Sequence, residues 1–309
     1  MTAATVTVSA VDRSLRAKGR DWGGLVFEGF LLLSLLFSMA VLVALVGDQL
    51  SRAMPVFADR GTDFLTSPVS SNPGRAGISQ GLVGSFLIAM LVAILAFPIG
   101  IMSAIYLEEY APNTRLTRLV ALNIRNLAGV PSIVYGLLGL SVYVAALSAI
   151  GFPNNGRNIL AGALALASLV LPIVIITASE AIRAVPSAIR EAGYGVGASR
   201  WEVVSKLVLP SATSGILTGT ILSISRALGE TAPLLLAGAV LGTFSSRGGI
   251  DDLLTGPYTV LPMIVYDWAR KPQDEFRALT AAGIVVLLVV TLLANAIAIL
   301  LRNRYQQKW

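Results

Sequence analysis

Arg226 and Glu230 are the two residues of this chain best placed to do chemistry. They stand four apart in an apolar run from Ile216 to Leu241. An arginine at the centre of such a run costs about 2.5–3.5 kcal/mol on insertion scales, so it usually faces a cavity and takes a partner. Glu230, one helical turn on, is the available partner, although Arg before Glu is the weaker order for such a pair. A guanidinium forks onto a carboxylate or a phosphate through two parallel hydrogen bonds. The pair can therefore act as an anion contact in which Glu230 holds Arg226 until the anion arrives, with the hydroxyls of Ser225 and Thr231 beside it. It can equally be a self-neutralising structural pair, or Glu230 can mark the outer end of a short span. Other chemistry is thin. The chain has no histidine and no cysteine, which removes the usual general base, a thiolate nucleophile and the commonest metal ligands. Its lysines are followed by Gly19, Leu207, Pro272 and Trp309, so no Gly-Lys-Ser/Thr loop is present to bind and hydrolyse ATP.

The elements that must position these residues are membrane helices. Of 309 residues, 55% are hydrophobic and 13% charged, against roughly 25% charged in a soluble domain. The chain reads as an all-α polytopic membrane protein with six spans: Leu25–Val46, Gly81–Ile105, Leu127–Ile150, Ile159–Ala178, Ala212–Leu228 and Ala278–Leu301. The first is too long for a signal-peptide core and no A-x-A site follows it, so it is expected to be retained. Pro98, Pro131 and Pro172 fall in or near spans, where membrane helices tolerate proline. The organisation is a tail (1–24), a six-helix membrane domain (25–302) and a second tail (303–309). The connection 184–210 lies on one side, and long loops at 48–80 and 232–276 lie on the other. The 48–80 loop is rich in Ser, Pro and Gly and is expected to be irregular. The 232–276 loop, with Gly248-Gly249, Asp251-Asp252, Pro257 and Pro262, is expected to hold a short helix around Leu234–Leu241. It reads as a structured cap over the bundle or a platform for a soluble partner.

Fourteen Lys and Arg residues, among them Arg13, Arg16, Lys18, Arg20, Arg115, Arg118, Arg125, Arg183, Arg190 and Lys308, fall on the side of the tails. Eight fall on the other side. The positive-inside rule then places both termini and the 184–210 loop in the cytoplasm. No cluster is dense enough to make a nucleic-acid groove.

The loop from Glu191 to Pro210 reads as two short helices. Pro186 and Ser187 start the first, and Gly193, Gly195 and Gly197 loosen or end it. Ser199-Arg-Trp-Glu202 is a capping box that opens the second. Trp201, Val204, Leu207 and Val208 share one face of that helix. An apolar face at the cytoplasmic surface calls for a cover, either a partner or the bundle itself. Pro210 marks where the next span begins. Among weaker signals, Gly215-x-x-x-Gly219 is a helix-contact pattern. Ser132 and Tyr135 can line a path or simply pack. Glu28, Glu108-Glu109 and Arg115 need no special role.

The loop resembles the EAA loop of ABC-importer permeases, onto which the ATPase docks. That pattern is Glu-Ala-Ala, three residues, Gly, nine residues, Ile, one residue, Leu-Pro. Here it is Glu191-Ala192-Gly193, Gly197, Leu207 and Leu209-Pro210 with every spacing kept. Gly193 and Leu207 are the two departures. Arg226-Ala-Leu-Gly-Glu-Thr-Ala-Pro233 resembles the signature of phosphate-transport permeases of the PstA type, as do Gly129–Gly136, Leu171–Ile175 and Glu180–Ser187. The resemblance covers Gly81 to Pro233 well. It implies the six-helix, MetI-like architecture of a type I ABC importer permease in the bacterial inner membrane. It implies a substrate path at Ser225, Arg226, Glu230 and Thr231, and ATPase docking at Glu191, Ala192, Gly193, Gly197, Trp201, Leu207, Leu209 and Pro210. It also implies a second, PstC-type permease, two ATPase subunits that bind ATP and Mg, and an extracytoplasmic phosphate-binding protein. No cofactor is expected in this chain. The competing expectations are a permease for molybdate, sulfate or phosphonate, and a secondary transporter or channel, which would call for inverted repeats that are not evident. A membrane enzyme is disfavoured.

Overall fold

In a computed structural model of the chain, residues 22–239 and 255–305 are described. Residues 1–21, 240–254 and 306–309 lie outside them. With these go Arg13, Arg16, Lys18, Arg20 and Lys308, the Gly248-Gly249 and Asp251-Asp252 pairs, and the last two residues of the helix expected at Leu234–Leu241. Every described regular element is helical. In chain order they are α1 (Trp22–Arg60), α2 (Asp63–Thr66), α3 (Ser79–Tyr110), α4 (Arg115–Ala128), α5 (Ser132–Ala149) and α6 (Ile159–Arg183). Then follow α7 (Ser187–Gly195), α8 (Arg200–Gly229), α9 (Ala232–Leu236), α10 (Leu261–Ala269) and α11 (Asp274–Tyr305). Six of these are long and apolar enough to cross a membrane, namely α1, α3, α5, α6, α8 and α11. Each overlaps one expected span.

The chain forms two compact units, Met1–Ser51 and Arg52–Trp309. The described part of the first is helical, with its Leu, Phe and Val side chains exposed along its length. The second is organised around α6, which packs against α3 on one side and α8 on another. Small residues make this possible. A Cβ on Gly100 of α3 would come within 2.7 Å of Val174 on α6, and close approach of backbones is what drives helix association where lipid is as apolar as leucine. The Gly215-x-x-x-Gly219 pattern does this work on α8. A Cβ on Gly215 would come within 2.6 Å of the Ala181 methyl, and one on Gly219 would overlap Thr177.

Two sequence expectations are corrected here. The 48–80 segment is largely ordered structure. α1 continues to Arg60 and α2 follows. The cause is a set of apolar anchors that the Ser, Pro and Gly composition hid. Phe64 stacks edge-on to Phe57 at 6.0 Å and lies 6.2 Å from Trp268, which in turn lies 6.0 Å from Phe276. Arg60 donates to the Ala76 carbonyl at 2.6 Å and closes the turn. In the 232–276 loop the short helix is α9, ending at Leu236. A second helix, α10, is also present, with Leu261, Ile264 and Trp268 fully buried. Overpacking the α6–α8 contact should be costly. Gly219→Leu is expected to lower the stability of the purified chain by about 1–3 kcal/mol, read as a fall in its thermal midpoint, whereas the exposed Gly29→Leu should leave it unchanged.

Candidate functional site

The anion-binding candidates sit where α8 ends. Arg226 occupies the last turn of α8 and Glu230 is its C-cap, in an extended conformation. Arg226 Nε lies 3.3 Å from Glu230 Oε1. The pair expected from the sequence is therefore formed, but it is not enclosed. The Arg226 side chain is 44% exposed and that of Glu230 20%. Thr231 follows at the start of α9, where its side chain makes no cap bond. Ser225 is placed differently. Its hydroxyl bonds the Ile221 carbonyl at 2.9 Å and meets the side-chain amide of Asn295 on α11, so it serves a helix contact. The Gly129–Gly136 stretch comes to the same place. A Cβ on Gly136 would lie 3.0 Å from Ala232 O and Pro233 Cα. Tyr135 donates to Leu127 O at 2.9 Å and sits within electrostatic reach of Arg226.

The second candidate region is the loop at the other end of α8. α7 starts after Pro186, as expected, and Gly197 makes the turn at φ +82°. The Ser199–Glu202 capping box is present, with both reciprocal bonds made. The apolar face is only partly free. Val204 and Val208 are fully buried, Val208 within the core of the bundle. Leu207 and Leu209 are partly buried, and Trp201 is 66% exposed. Of the two covers expected for this face, a partner or the bundle, the bundle takes most of it. What remains outward is Glu191, Ala192, Tyr194, Val196 and Trp201. Pro210 does not break the chain. α8 runs through it, because a widened turn at Val204–Val208 precedes it and absorbs the missing N–H. Gly193 is buried inside α7 and does not end it. A Cβ there would meet Leu207 Cδ1 and Val203 Cγ2 at 2.8 Å. The two departures from the loop pattern, Gly193 and Leu207, are in fact neighbours, and the small residue makes room for the differently branched one.

The sequence reading passed over the residues that fasten this loop. Glu108 and Glu109, at the end of α3, are ion-pair partners. Arg183 forks onto Glu108 with Nη2–Oε1 at 2.6 Å and Nε–Oε2 at 3.2 Å. Arg190 reaches Glu109 Oε1 at 2.8 Å and 3.1 Å, and also donates to Val185 O and Ile182 O. Arg200 bonds the Glu109 carbonyl and lies over the Tyr110 ring at 4.9 Å. Glu109 is 7% exposed. The only signal for these pairs was the Glu-Glu doublet itself, since the partners are 75 to 91 positions away.

Removing one partner of a buried pair strands the other charge. Arg190→Ala is expected to cost about 3–5 kcal/mol, measured by denaturation of the solubilised chain, with the double variant Arg190→Met/Glu109→Leu recovering part of it. For the loop contact, Gly193→Ala alone should destabilise by about 1–3 kcal/mol, and Leu207→Ala beside it should relieve part of the cost, the Val203 contact remaining. Additive effects in that double-mutant cycle would disprove the contact.

Comparison with known proteins agrees with this arrangement. Residues 96–307 match the family "Binding-protein-dependent transport system inner membrane component". The chain is 36% identical over 225 residues to "Phosphate transport system permease protein PstA 1" of Mycobacterium tuberculosis, covering 72% of this chain and 70% of that one. Among solved structures, it matches a chain of the inward-facing MetNI methionine ABC transporter (TM-score 0.53, 15% identity, 75% of this chain and 95% of that one). It also matches a chain of a bacterial alginate ABC transporter (TM-score 0.59, 18% identity, 90% and 97%). The two solved structures establish the fold, that of a type I ABC importer permease, and the family match and relative establish the lineage. The chain belongs to the inner membrane components of binding-protein-dependent transport systems and, among them, to the PstA group of permeases.

Proposed function

We propose that this chain is the membrane-spanning permease subunit of an ATP-driven importer of inorganic phosphate. One observation carries the reading. A guanidinium at the end of a membrane-spanning helix is held, among the described residues, by a single carboxylate and left 44% exposed, in a chain whose relative is a phosphate-transport permease. An incoming phosphate oxyanion competes with Glu230 for the Arg226 fork. The chain is not itself an enzyme. Inward movement of an anion against a negative-inside potential costs about 2.3 kcal/mol per charge per 100 mV, and the energy comes from a separate ATP-binding subunit, which holds ATP and its Mg²⁺.

Several features support the arrangement of that assembly. The Lys and Arg distribution favours both termini and the 184–210 loop in the cytoplasm. The outward side chains of Glu191, Tyr194, Val196 and Trp201 form the docking surface for the ATP-binding subunit. The exposed side of Arg226 is where a second, PstC-type permease completes the path, with two ATP-binding subunits below and an extracytoplasmic phosphate-binding protein above. Because α8 is continuous, Trp201 and Arg226 are joined by 25 residues of helix, or about 37 Å. A displacement imposed at the docking end reaches the anion contact without crossing a flexible joint, and the arginine–glutamate pairs carry it to α3 as well.

The test is uptake of radiolabelled phosphate by the reconstituted transporter, with molybdate, sulfate and a phosphonate as competitors. Arg226→Ala is expected to reduce uptake about 10- to 100-fold, the range set by one charge-assisted hydrogen bond, with insertion and assembly intact. Full uptake in that variant would remove Arg226 from the path. Preferential uptake of another oxyanion would reassign the substrate. Glu191→Lys is expected to weaken co-purification of the ATP-binding subunit.

A further inference from the structure

We infer that Arg118 and Arg125 form a second oxyanion site, on the loop side of Arg226, where phosphate pauses before release. The inference rests on the phosphate-importer reading. A cavity of about 340 Å³ lies between the end of α3, α4 and α6, many times the ~30 Å³ share of a water molecule. Arg118, Arg125, Asn113 and Ser179 line it, together with Glu108, Glu180 and Arg183. Arg183 is taken up by its fork to Glu108 and also feels Glu180. Arg118 and Arg125 make no ion pair or side-chain hydrogen bond among the described residues, in contrast to Arg183, Arg190 and Arg226, each of which has a carboxylate. Arg118 and Arg125 are both exposed, so each guanidinium keeps its forked donors free for an oxyanion that enters the cavity.

Placement strengthens the assignment. The two arginines are seven residues apart, two turns on one side of α4, separated by about 10.5 Å along the axis. Arg125 lies in the last turn of α4, where the carbonyl ends favour a cation without any carboxylate. Beyond α4 the chain passes Gly129–Pro131 to Gly136, which packs against Ala232 and Pro233 shortly after Arg226. The cations thus mark a line from the anion contact at the end of α8 down to the face that carries the 184–210 loop. The same guanidinium chemistry would accept a phospholipid headgroup, and an adjoining cavity of about 480 Å³, lined by Met102, Tyr106, Leu116 and Val120, offers room for acyl chains.

The experiment uses the assembled transporter in phosphatidylcholine vesicles with and without phosphatidylglycerol. Phenylglyoxal modification of each arginine is mapped by mass spectrometry. Inorganic phosphate is expected to slow modification of Arg118 and Arg125 by about fivefold at four times its dissociation constant and to leave Arg115, which is equally exposed but does not line the cavity, unaffected. Protection that requires phosphatidylglycerol instead assigns the site to a lipid headgroup. Protection by neither overturns the site. In the same vesicles the Arg118→Gln/Arg125→Gln pair is expected to lower phosphate uptake about tenfold or more. ATP hydrolysis stimulated by the binding protein should persist, and Arg118→Lys/Arg125→Lys should restore most of the uptake. Unchanged uptake in the glutamine pair also overturns the release role. A wild-type transporter that takes up no phosphate refutes the importer reading, while the protection assay still decides whether the arginines hold an oxyanion.

Discussion

A carboxylate with almost no access to water sits at the junction of α3, α6 and α7, and the geometry of the loop end depends on it. Glu109 would be prohibitively costly there alone. Arg190 supplies its counter-charge and, with its remaining donors, takes up the Val185 and Ile182 carbonyls at the end of α6. One side chain therefore satisfies a buried charge, helps terminate a membrane helix and orients α7. Arg200 adds a bond to the Glu109 backbone, so both helices of the loop are referred to the same point on α3. Without that reference, α7 would be held chiefly by a few apolar contacts around Gly193, and the exposed surface of Trp201 and Tyr194 would have no fixed direction.

The opposite end of α8 is built on the reverse principle. Among the described residues Arg226 has one carboxylate partner, in the weaker helical order, and is open to its surroundings. The contrast between a multiply bonded arginine at one end and a singly bonded one at the other separates a fixed structural charge from an exchangeable one. Small residues make the connection between them stiff. Gly215 and Gly219 seat α8 directly on α6, and Gly100 lets α3 seat against Val174 of α6.

Much of this was legible in the sequence, and the reasons for success and failure are physical. The spans, the capping box, the Gly-x-x-x-Gly contact and the Arg226–Glu230 pair are local signals, each carried by residues within a turn or two. Glu108 and Glu109 were dismissed because their partners lie far along the chain, and no periodicity links an acid at the end of one helix to a base in another. The 48–80 segment was misjudged because a few aromatic anchors outweigh many turn-forming residues. Val204 and Val208 were correctly assigned to an apolar face, but a helical wheel cannot say whether the bundle or a partner covers it. Gly193 and Leu207 looked like two independent substitutions and are a single packing adjustment.

The widened turn at Val204–Val208 carries one more implication. Each residue of an ordinary helix advances the side chains by about 100° around the axis, and a turn containing an extra residue resets that count. The azimuth at which Trp201 points is therefore tied to the azimuth of Arg226 through the number of residues held in that one turn. Losing one residue in that turn would return it to an ordinary turn and leave the two ends of α8 in nearly the same angular relation. Losing one anywhere else in α8 would rotate Trp201 against Arg226 by about 100° and aim the two ends in directions that no longer correspond.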